Sequence, residues 1–139
     1  MNAARAGRWV VALGIIGAAA GCKSAEPAPP PELGTEFTLS GGDTAVLDAG
    51  RLTVLFRDVP EDSRCPAEVN CVWEGDATVL TEVTVDGTQS AHELHSNPQF
   101  PTDVLTGGYR IALRSITPPG SASEIPLPDY RVNLLVTQE

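Results

Sequence analysis

An antiparallel β-sandwich or barrel-like domain of six to eight short strands is the fold class this sequence predicts, on three observations. From Glu36 onward, apolar side chains recur at every second position in run after run. Clusters of Gly, Asp, Asn and Pro separate those runs at short intervals. No window of about a dozen residues in that region carries a helical stripe.

Taken in order, Phe37 and Leu39 open the first strand, and Gly41-Gly42-Asp43 turns the chain. Ala45 to Leu47 follows, and Asp48-Ala49-Gly50 turns it again. Leu52, Val54 and Phe56 alternate with Thr53, Leu55 and Arg57, which gives a strand with one apolar face. Ala77, Val79, Val83 and Val85 alternate in the same way with Thr78, Leu80, Glu82 and Thr84. Asp86-Gly87 is a hairpin signal, and Ser90 to Ser96 is the returning strand. Residues 97–103 read as loop. Tyr109, Ile111 and Leu113 form the next apolar face, and a Pro/Gly/Ser loop then runs from Pro118 to Pro128. Tyr130, Val132, Leu134 and Val136 make the last strand. The predicted all-β domain spans residues 36–139, an ordinary size for a single core.

Ahead of it, residues 1–21 read as a signal peptide. Arg5 and Arg8 supply a basic start, and Trp9 to Ala20 is an apolar run too short to span a bilayer, which takes roughly 20 residues. The run ends in Ala19-Ala20-Gly21-Cys22. That ending resembles the bacterial lipobox, although Ala19 stands where leucine is usual. The resemblance implies that Cys22 is the mature N-terminus and is acylated, with chains such as palmitate holding the protein in the lipid bilayer. Lys23 in the next position implies sorting to the outer membrane of the cell envelope. Cysteine parity agrees, because lipidation of Cys22 leaves Cys65 and Cys71 as an even pair in an oxidising compartment. Residues 22–35 then form a lipidated, Pro-rich tether, whose prolines favour an extended chain reaching about 35–40 Å.

Without residues 1–21, seven basic residues face eighteen acidic ones, a net charge of about −11. Such a surface excludes nucleic acid, which needs a basic stripe, and argues against adhesion to anionic lipid by charge.

The stretch from Asp62 to Asp76 holds the remaining cysteines and one of the two tryptophans. Cys65 and Cys71 are close enough that a disulfide would close a small loop, worth roughly 2–2.5 kcal/mol in the chain-entropy model. Trp73 lies two residues past Cys71, so a strand there would place both on one face and make the indole a core anchor. Arg64 sits among Asp58, Glu61, Asp62 and Glu68, which predicts an Arg–carboxylate pair fixing the loop. Between the cysteines few side chains can reach a core, so Glu68 and Val69 are expected to face solvent or an envelope protein partner. The run Asp62-Ser63-Arg64-Cys65-Pro66 followed by Cys71-Val72-Trp73-Glu74-Gly75 resembles the motif of an uncharacterised family of exported bacterial proteins and lipoproteins. Thr117-Pro118-Pro119 and Tyr130 fit the same pattern. The resemblance implies a structural motif of Asp62, Arg64, Trp73 and Gly75, and it implies no activity.

Other chemistries have weaker footing. A redox pair usually has two intervening residues at a helix N-terminus, and Cys65 and Cys71 have neither feature. His92 and His95 would share a face of a helix, but on a strand their odd offset sends them to opposite faces. No nucleophile context, phosphate loop or calcium loop is present. The expectation is therefore a membrane-anchored envelope module for binding or structure, with no catalytic residue, metal or cofactor. The alternative is an inhibitor presenting the 61–70 loop to an enzyme. A small hydrolase or metal-dependent enzyme ranks last.

Overall fold

The computed structural model describes Gly17 and residues 29–139. The expected signal peptide, the lipidated Cys22 and the first half of the tether lie outside the described residues. Among the described residues eight strands form: β1 (Phe37–Ser40), β2 (Thr44–Leu47), β3 (Leu52–Asp62), β4 (Ala77–Val85), β5 (Thr88–His95), β6 (Asp103–Thr106), β7 (Tyr109–Thr117) and β8 (Arg131–Gln138). They build two four-stranded sheets, ordered β1-β8-β7-β6 and β2-β3-β4-β5. Every pairing is antiparallel, so the predicted all-β class holds, as an open sandwich and not a closed barrel.

Period-two alternation accounts for the core. Leu52, Val54 and Phe56 of β3 are fully buried, as are Val79 and Val83 of β4. From the other sheet, Ile111, Val132, Leu134 and Val136 fill the space opposite. Two buried tyrosines stitch the sheets together at opposite ends. Tyr109 of β7 sends its hydroxyl to Asp48 beside β3, and Tyr130, just before β8, sends its own to Asp62 at 2.7 Å.

The turns follow from local chemistry. Asp86 and Gly87 have φ of 48° and 84°, which closes the two-residue β4–β5 hairpin with the twist its strands need. Between β1 and β2 the chain crosses from one sheet to the other. The Gly41 N–H donates to Tyr130 O, and the Gly42 N–H donates to Phe56 O. A Cβ on Gly41 would lie 1.9 Å from Leu127 O, so only glycine fits.

Four features depart from the sequence expectation. Trp73 is not a core anchor: its residue surface is 70% exposed. The chain between Cys71 and Asp76 is turn and coil, with β4 beginning only at Ala77, so strand alternation does not govern position 73. Residues 97–103 contain the start of a further strand, β6, joined to β7 by Gly107-Gly108 at φ 58° and 85°. Strand β3 runs through Pro60 because β2 ends its pairing at Leu55, and an edge tolerates a missing N–H. Finally, Leu33 packs against the core and the Gly34 N–H donates to Val136 O at 2.7 Å, so the folded domain begins before residue 36.

Candidate functional site

The end of β3 delivers Asp62, Ser63, Arg64 and Cys65 to one end of the sandwich. Arg64 grips Asp62 with two parallel hydrogen bonds, Nε to Oδ1 at 2.8 Å and Nη2 to Oδ2 at 2.7 Å. Its remaining Nη1 donates to Pro118 O at 2.8 Å, beyond the end of β7. Asp62 Oδ2 also accepts the Tyr130 hydroxyl from the opposite sheet. The predicted Arg–carboxylate pair is thus Arg64 with Asp62, and it ties both sheets together beneath the cystine loop.

Electrostatics follow this geometry. Burial pushes the Asp62 carboxyl up, but the hydrogen bonds from Arg64 and Tyr130 outweigh it and leave the carboxyl below its usual range. The Arg64 guanidinium is held more firmly protonated by the bond to Asp62, against the opposing effect of burial. Burial, followed by the bond to Asp62, pushes the Tyr130 phenol up to about 12.

Two glycines let the loops close on this segment. A Cβ on Gly75 would fall 1.8 Å from Ser63 O, and one on Gly120 would fall 2.5 Å from Cys65 O. Ser63 N–H donates to Asp76 O at 2.7 Å, and the Ala67 N–H donates to Gly120 O at 2.9 Å. Asp76 then holds the β5 end, with His95 Nδ1 at 2.6 Å and the Asn97 N–H at 3.0 Å. Asn97, which is 4% exposed, turns its amide back to Gly75 O at 3.3 Å. Its Oδ1 accepts the Gln99 N–H at 2.9 Å.

On this frame the Cys65–Cys71 disulfide closes the loop, with the two Cα atoms 5.9 Å apart. Glu68 and Val69 are both exposed, as is Cys71, while Cys65 is half-buried. Past the cystine, Val72 is 92% exposed, and Trp73 beside it projects as well. Phe100 stacks obliquely on His95, with ring centroids 5.3 Å apart, and leaves half its own surface open. Four large apolar residues therefore sit outward around an ordered polar frame.

His92 and His95 lie on opposite faces of β5. His92 Nε2 meets Ser90 Oγ at 2.8 Å, and His95 is engaged with Asp76. Among the described residues no group of three or more His, Cys, Asp or Glu is arranged to hold a metal ion. The elements that sequence reading missed are Asn97, Gly120 and the Tyr130 hydroxyl. Only Tyr130 carried a signal, as a buried-face tyrosine whose hydroxyl needs a partner.

Compared with protein-family models, curated proteins and solved structures, the chain matches none.

Proposed function

We propose that this chain is an exported, lipid-anchored module of the bacterial cell envelope that recognises a protein partner through its cystine end and does no chemistry itself. The observation that carries the reading is the display of Val72 and Trp73, 92% and 70% exposed, beside a disulfide-closed loop. Exposed aromatic residues on preordered loops are the usual anchors of recognition, because little entropy is lost when they dock. The leader supports export, Cys22 supports a lipid anchor, Lys23 supports sorting to the outer membrane, and the Pro-rich tether supports reach away from the bilayer.

A second reading, that of an enzyme inhibitor, is favoured by the shape of this end. Val72 and Trp73 project beside the closed loop, as a wedge for another protein's cleft would.

The test replaces Ala67, Glu68, Val69 and Asn70 with Gly and Ser while keeping both cysteines. The expected variant melts within a few degrees of wild type and loses the partner that in-cell cross-linking captures. A variant that folds and keeps its full partner yield rules the loop out as the contact. Loss of a captured enzyme's inhibition in the same variant selects the inhibitor reading.

A further inference from the structure

The proposed recognition role gains a partner chemistry from the way charge is distributed over the fold. Five of the six arginines among the described residues are spent on carboxylates. Arg51 pairs with Asp86, Arg57 with Glu82, Arg64 with Asp62, Arg110 with Asp103 and Glu139, and Arg114 with Glu36. The sixth, Arg131, donates to the carbonyl oxygens of Pro128 and Tyr130. Nine carboxylates among the described residues have no basic partner; Glu32, Asp43, Asp58 and Glu93 are four of them, and Glu61, Glu68, Glu74, Glu124 and Asp129 are the other five, toward the cystine end.

Three of these carboxylates share one groove. It runs between the cystine loop and the loop after β7, with Glu68, Glu124 and Asp129 at its edges and Pro119, Ile125 and Pro126 among its apolar lining. Among the described residues no basic side chain lines it. Its neighbour on the other side of Pro119 and Gly120 is lined by Glu74 and Cys65 together with Arg64, whose charge is already taken by Asp62.

Resting on the recognition reading, we infer that the partner is a cationic protein presenting an apolar recess rimmed by Lys or Arg. Trp73 and Val72 enter the recess. A rim Arg or Lys lays its methylenes on the prolines and Ile125 and points its charge at Glu68, Glu124 and Asp129. A second copy of this chain is a poor occupant, since a two-fold contact would set these same carboxylates against each other. An anionic bilayer surface is a poor one for the same reason of sign.

The test uses the full lipidated chain in detergent as bait and a phage-displayed library of random peptides as probe. Enriched peptides are expected to carry net positive charge around an aromatic or aliphatic anchor. Trp73→Ala should weaken the best peptide by on the order of thirtyfold or more. Glu68→Gln with Glu124→Gln and Asp129→Asn should weaken it about tenfold and flatten its salt dependence, with melting unchanged. Neutral or acidic peptides that still require Trp73 overturn the cationic partner but leave the recognition role standing. Failure to enrich any Trp73-dependent peptide overturns both. Trp73-dependent dimerisation in sedimentation makes a second copy the occupant. Quenching of Trp73 by brominated acyl chains makes it the bilayer. Either result overturns the inference.

Discussion

Asp62 and Tyr130, 68 residues apart in sequence, meet at 2.7 Å across the sandwich, with Arg64 completing the bond set on the same carboxylate. The contact explains how an exposed, cystine-closed loop is held to the fold. The carboxylate that fixes the loop's arginine is itself fixed by the opposite sheet.

Breaking this clamp should be measurable as stability. The side chains of Arg64 and Asp62 are 14% and 16% exposed, so Arg64→Ala strands a largely buried carboxylate and should cost about 2 kcal/mol. Tyr130→Phe removes one charged hydrogen bond and should cost about 1.5 kcal/mol. Urea titration of each variant checks the figures.

The same clamp sets two pH limits. The Asp62 carboxyl is depressed in the folded state, so its contribution is present above its unfolded value, near 4, and is lost as pH falls through the folded value. The Tyr130 phenol is raised from 10.0 to about 12, so its contribution is present below about pH 10 and is lost as pH climbs toward 12. Stability measured against pH should lose part of its acid fall in Asp62→Asn and part of its alkaline fall in Tyr130→Phe. Unchanged limbs in both would place the titration elsewhere.

Gly75 should be intolerant for steric reasons alone. A Cβ there would sit 1.8 Å from the Ser63 carbonyl oxygen, and the nearest atoms it would meet are all backbone. Gly75→Ala should therefore destabilise by roughly 1–3 kcal/mol and loosen the cystine loop, seen as faster amide exchange at Ser63 and Asp76.

How much of this was legible in the sequence follows from the reach of each signal. Alternation is local, so Leu52, Val54, Phe56 and the β8 residues could be assigned to the core one strand at a time. The Asp86-Gly87 turn announces its hairpin in two letters. Gly107-Gly108 is the same kind of signal, but β6 offers only four residues beside it and was hidden in loop-like composition. Trp73 misleads because period two has meaning only inside a strand, and the chain at Trp73 is not one. Asn97, Gly120 and the Asp62–Tyr130 contact depend on segments far apart in sequence, and no local pattern encodes them.

The proposed signal peptide and anchor carry their own prediction. Cys22→Ala should move the protein from the membrane fraction to the soluble fraction, and the wild-type mass should include acyl groups on Cys22. A variant retained in the membrane, with an unacylated wild type, would remove the anchor from the account.

Core and display should separate cleanly under mutation. Phe56→Ala should cost roughly 3–5 kcal/mol, since Phe56 is fully buried. Trp73→Ala should stay within about 0.5 kcal/mol of wild type, as surface substitutions do. Paired urea curves decide it.

The most direct measurement of the central claim is site-specific photo-cross-linking in cells, with the photoreactive residue placed at Trp73 in one strain and at Val46 in another. Val46 is 54% exposed on the edge strand β2 and serves as the apolar surface control. A discrete protein adduct from position 73, with none from position 46, is the result the account predicts. Equal yields from the two positions, or no adduct from position 73, would contradict it.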